Sequence, residues 1–175
     1  MKIKKVIWCV GLALILLPAM LYVGLAVYVL QTAEIEELMV STSPGAVHIP
    51  PKVVREWIFA FRGAAEDVER FHASIGIAWI FASPRQDWDK MASFWLGKGV
   101  DINHRDPRTL LTALQGTALA GESEQVEFLL KLGADPMVRD PKRGFTALEL
   151  AERGLAHGFY ANTALHDNML RSILD

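Results

Sequence analysis

The chain has 175 residues, 51% of them apolar, and a formal net charge of −2, enough for one modest domain and an apolar segment besides. Nucleic-acid binders carry a basic excess. Here residues 31–175 hold all 20 acidic residues and 15 of the 18 basic ones, a formal charge of −5, because Lys2, Lys4 and Lys5 precede them. The single cysteine, Cys9, excludes an internal disulfide.

Residues 1–5 form a short Lys-rich tail, and Val6 to Leu30 is a run of 25 residues without Asp, Glu, Lys, Arg or His. As a helix it reaches ~37 Å at about 1.5 Å per residue, against a bilayer hydrocarbon core of about 30 Å. Pro18 lies mid-run, where membrane helices tolerate a kink. A cleavable signal has a shorter apolar stretch, about 7–15 residues, before a small-x-small site. This run is longer and ends in Val29, Leu30, Gln31, Thr32 and Ala33. The segment 6–30 is therefore expected to be an uncleaved transmembrane helix. Cys9 follows Ile7 and Trp8 and does not resemble a lipoprotein box. Lys2, Lys4 and Lys5 before the helix and Glu34, Glu36 and Glu37 after it put the N-terminus in the cytoplasm by the positive-inside rule. Trp8 and Tyr28 are expected at the two interfaces. The short Lys-rich start has a bacterial style, which implies an inner-membrane protein with a periplasmic C-terminal domain.

Residues 31–51 read as a linker. Glu34 to Val40 extends the helix by a turn or two, Ser41 to Gly45 breaks it, and Pro50-Pro51 closes the segment. Residues 52–87 read as an N-terminal helical cap. Val53, Val54, Trp57, Ile58 and Phe61 mark one helix face. Glu66 to Ala82 is apolar nearly all round and predicts one buried helix. Ser83 and Pro84 predict the next start. Its face carries Trp88, Met91, Trp95 and Leu96, and Gly97 and Gly99 end it.

Three blocks then recur at an offset of 34 residues: Gly99-Val100-Asp101 as Gly133-Ala134-Asp135, Asp106-Pro107 as Asp140-Pro141, and Thr112-Ala113-Leu114 as Thr146-Ala147-Leu148. A fixed period of this length is the mark of a repeat architecture. Gly144 to Ala151 (GFTALELA), Phe128 to Pro136 (FLLKLGADP), Gly121 at the turn between two helices, and Phe94 to Asn103 (FWLGKGVDIN) resemble the ankyrin-repeat family. The resemblance covers about residues 88–174. It implies an all-α fold: a single transmembrane helix, then a short solenoid of helix-turn-helix repeats with hairpin-like loops and helical caps. The repeat region is read as residues 88–175, with a stretched third repeat and a second cap at Asn162–Leu174. Leu129 and Leu130 are expected to line the core.

The resemblance further implies binding of a protein partner through hairpin tips and the concave face near Gln115, Leu119, Glu149 and Arg153. Two neighbouring tips are basic on an acidic domain. The candidate contact residues are Arg105, Arg108, Leu111, Arg139, Lys142, Arg143 and Phe145. The expected partner has an acidic surface, and bacterial proteins of this kind include immunity proteins and adaptors for a secreted toxin or a periplasmic enzyme. The reading of those charges as ordinary solvated turns stands beside it. The five histidines have no metal-ligand spacing, and no phosphate loop, dinucleotide motif or nucleophile elbow is present. No catalytic, cofactor-binding or metal residue is assigned, and a non-enzymatic, cofactor-free protein is expected.

A second resemblance comes from another class. Ile49 to Val54 (IPPKVV), Glu66 to Phe71 and Ser74 to Ile77 resemble the start of the peptidoglycan glycosyltransferase module. Glu66 would match its catalytic acid. One extra residue precedes Phe71, Ser74 replaces the family histidine, and the remaining catalytic regions are absent. That resemblance implies at most an inactive, cell-wall-associated fragment.

Overall fold

The computed structural model describes residues 2–41, 49–82 and 87–158, with Asp167 and Arg171. The described secondary structure is all helical, with one isolated antiparallel bridge between Arg105 and Thr112. Helix α1 (Lys2–Thr32) contains Pro18, and its segment Leu14–Thr32 is long and apolar enough to cross a membrane. Its large side chains are exposed, Leu14 at 69% and Leu21 at 75%. A single apolar helix this near the N-terminus suits an anchor or a signal sequence.

The far end of α1 belongs to the domain. Leu30 is buried in the same apolar cluster as the cap. The Arg62 guanidinium donates to the Ala33 carbonyl at 3.0 Å, and Arg70 pairs with Glu34. Helix α2 (Ile35–Ser41) then buries Ile35, Leu38 and Met39. The expected linker is therefore a packed helix in its first half. Its apolar residues, spaced i, i+3 and i+4, dock against α3 (Pro51–Phe61) and α4 (Ala65–Ser74), while Glu34 and Glu37 stay exposed. The acidic residues disguised that stripe. Pro51 opens α3 at a position where a missing N–H costs nothing.

The helix predicted over 66–82 is two helices, α4 and α5 (Ala78–Ala82). Gly76 separates them with φ +65°, and its N–H donates to the Phe71 carbonyl at 2.7 Å. Helices α6 (Trp88–Gly97), α7 (Ala113–Ala120), α8 (Ser123–Lys131) and α9 (Ala147–Ala156) follow among the described residues. Helices α5, α7 and α9 pack in one inner row, with α6 against α5 and α8 against α7. Helix α5, within the segment read as cap, thus packs against α6 and α7 of the segment read as repeats. With five residues and no polar face, α5 carries no periodicity to betray it. The break placed at Thr42 to Gly45, the start at Ser83-Pro84, the interfacial position of Trp8, and most of the stretched third repeat and Asn162–Leu174 cap lie outside the described residues.

The 34-residue period appears in the backbone itself. Thr112 and Thr146 cap α7 and α9 through reciprocal capping boxes with Gln115 and Glu149. Gly99 and Gly133 both turn left-handed, at φ +95° and +89°. Gly76, Leu110 and Gly144 do the same at φ +65°, +64° and +73°. Leu110 is the only non-glycine residue with positive φ among those described, a conformation that costs a side chain of order 1–3 kcal/mol. Leu110→Gly is expected to relieve that strain, less glycine's larger entropy loss, and raise stability by about 1 kcal/mol. Thermal denaturation of the full chain in detergent micelles checks this; a lower melting temperature would show that the Leu110 side chain contributes more than its backbone costs.

The core joins cap and repeats. Phe71 of α4 stacks on Trp95 of α6 with centroids 4.6 Å apart and planes within 10°. Leu129 is fully buried, and Leu130, partly buried, packs against the same core, as expected.

Candidate functional site

Each hairpin is built around a buried aspartate. Asp106 Oδ1 accepts from the Arg108 and Thr109 N–H groups and the Thr109 hydroxyl. Asp140 Oδ1 accepts from the Lys142 and Arg143 N–H groups, and its Oδ2 from the Phe145 N–H. Burial pushes both carboxyls up, but these hydrogen bonds outweigh it and leave them below the ordinary carboxylate range.

These anchors sort the candidate residues into two groups. Arg105 Nη1 donates to the Leu110 carbonyl at 3.3 Å, and Arg139 Nη1 repeats the bond to the Gly144 carbonyl at 2.6 Å. Arg105 also crosses to the next hairpin, where Nη2 donates to the Arg139 carbonyl at 3.0 Å. Both arginines therefore fasten turns, Arg105 half-buried and Arg139 exposed. Phe145 lies beneath the Arg153 guanidinium, 3.9 Å from its centroid, and is half-buried. Arg108, Lys142 and Arg143 point outward. Arg108 reaches Asp106 only at 3.6 Å, and Lys142 and Arg143 make no ion pair among the described residues.

One residue expected on a concave face is placed elsewhere. Gln115 is buried, with its amide donating to the Val138 and Phe145 carbonyls of the next hairpin, so it joins repeats instead of meeting solvent. The open depression lies one helix face away, between α5 and α7 beneath the first hairpin. It holds about 200 Å³ and is walled by Phe81, Ala82, Leu111, Gly116 and Ala120, with Arg108 on its rim. The sequence signal that could have found it is the pair of small residues Gly116 and Ala120, one turn apart. Leu111 lines this depression.

Glu66, matched above to a catalytic acid, is exposed at the start of α4 and paired with Arg70 at 3.2 Å. Asn103 ties the hairpins together, its Oδ1 accepting from the Asp135 N–H at 2.9 Å. Two histidines, scattered in sequence, join the cap to the first hairpin. The His72 and His104 rings stack with centroids 4.4 Å apart, and His72 Nε2 accepts from the Asp101 N–H at 3.1 Å.

Burial and the neighbouring His104 hold the His72 pKa below its ordinary value, against a smaller opposing pull from Asp101. A depressed folded-state pKa means that the unfolded chain takes up the proton first. The stabilisation is therefore complete above the ordinary value of 6.5 and is lost as pH falls through the folded-state value. Melting temperature is expected to drop on going from about pH 8 to about pH 5.5, and the drop should shrink in His72→Gln, whose amide oxygen still accepts from Asp101. An unchanged drop would assign the pH dependence to other groups. The lowered aspartates act only at more acid pH, from the ordinary value of 3.8 downward.

Compared with family models, curated proteins and solved structures, the chain matches none.

Proposed function

We propose that the chain is a membrane-anchored ankyrin-repeat protein of a bacterial inner membrane, with its N-terminus cytoplasmic and its repeat domain in the periplasm. On this reading it binds an acidic protein partner as an adaptor or immunity-type inhibitor and catalyses no reaction. The observation that carries the binding reading is the depression under the first hairpin: an apolar floor beside an outward cation, Arg108. A partner that inserts one apolar side chain there and sets carboxylates against Arg108, Lys142 and Arg143 satisfies both features. Buried apolar anchors supply most interface energy, and complementary charge supplies rate and specificity. Replacing Arg108, Lys142 and Arg143 by Ser is expected to weaken that partner's binding, and unchanged binding would remove this surface as the contact.

Retention of α1 is supported by Leu30 in the core and by the Arg62 bond to Ala33. Cleavage after the apolar run would strip a core residue from the domain. Orientation rests on Lys2, Lys4 and Lys5 against Glu34, Glu36 and Glu37. A reporter active only outside the cytoplasm, fused after Asp175, is expected to be active in a bacterial host. Activity from a cytoplasm-only reporter instead would reverse the orientation and the compartment.

A further inference from the structure

A groove runs between the end of α1 and the α2–α3 face, and it holds about 340 Å³. Its walls are Leu25, Val29 and Leu30 on one side and Leu38, Ile49 and Val54 on the other; Glu37 and Ser41 are the polar residues among its lining with Tyr22. Counting the ~20 residues that fill a hydrocarbon core from Val6, the start of the apolar run, ends near Leu25. The α1 wall therefore straddles the bilayer boundary. Leu25 is 61% exposed and is continuous with the exposed face of Leu21 and Leu14. On an ordinary protein surface an apolar channel of this kind would meet water; here one wall is the lipid-facing surface of the membrane helix.

We propose that this groove takes a hydrocarbon chain of a membrane lipid from the leaflet on the domain's side, so that the domain is seated on the bilayer and not tethered above it. The proposal rests on the reading of α1 as a retained anchor. The test uses the full chain in phosphatidylcholine vesicles doped with a lipid bearing a diazirine on its acyl chain. Irradiation followed by peptide mapping is expected to place adducts on Glu37, Ser41 or Ile49 as well as on Leu14 to Leu17. Val29→Trp adds bulk at an exposed α1 position near the interface, where tryptophan is well tolerated. It should remove the domain adducts and leave those at Leu14 to Leu17. Leu25→Trp, one turn lower on the same wall, carries the same expectation should Val29→Trp lower the melting temperature.

Adducts confined to α1 in the unaltered chain would overturn the proposal and leave the anchor reading intact. So would domain adducts that persist in both tryptophan variants, or chain-to-chain cross-links at the groove, which would assign it to a second copy. A chain with no lipid adducts at all would overturn the anchor reading and the groove proposal together.

Discussion

Leu129→Ala is expected to destabilise the domain by about 2–5 kcal/mol, the range for large-to-small changes in a packed interior. Leu129 sits on α8 with no exposed surface, in the continuous apolar cluster that includes Leu114, Val126 and Trp95. Removing its branched end leaves a cavity that the short helices α7 and α8, tied by the left-handed turns at Gly121 and Gly133, have little freedom to close. Leu132, three residues on and 45% exposed, is the control. Leu132→Ala should change stability by less than about 0.5 kcal/mol. Denaturant titration of the full chain in micelles distinguishes the two, and a larger loss at Leu132 than at Leu129 would mean that α8 is rotated from the orientation described.

Much of the repeat was legible because its determinants are local and recur. Thr112 and Thr146, Asp106 and Asp140, and Gly99 and Gly133 each do at one position what their partner does 34 residues later. The cap was less legible. Its α2 was read as an extension of α1, not as a separate packed helix, and α5, only five residues long, is too short to show a helical period. Both owe their conformation to what they pack against. The candidate site was legible in composition but not in role. Arg105, Arg108, Arg139 and Arg143 read alike as tip cations, and only the fold shows that Arg105 and Arg139 bond to turn carbonyls. The depression beneath the first hairpin depends on the gap between α5 and α7, a relation between distant segments that no single window contains.

That division of roles fixes which variant addresses binding. Changing all four arginines would loosen the hairpins and confuse lost folding with lost contact. Replacing Arg108, Lys142 and Arg143 together by Ser removes the outward charge while the backbone N–H groups that bind Asp106 and Asp140 remain. Exposed changes of this kind shift stability little, within about 0.5 kcal/mol each. Loss of three complementary charges is expected to weaken a partner by about tenfold or more, mostly through slower association at low salt. Raising the ionic strength shortens the screening length from about 10 Å at 0.1 M to about 3 Å at 1 M, so wild type should lose affinity with salt and the variant should lose far less.

The most direct measurement takes the stoichiometric partner recovered with the full chain from solubilised membranes and follows its binding to wild type and to the triple Ser variant across a salt series. The expected result is a partner with an acidic surface, binding that weakens as salt rises, and a variant that binds at least about tenfold more weakly with a flattened salt dependence and an unchanged melting temperature. A partner that binds both proteins equally, with the same salt dependence, would contradict it and remove the hairpin edge as the contact surface.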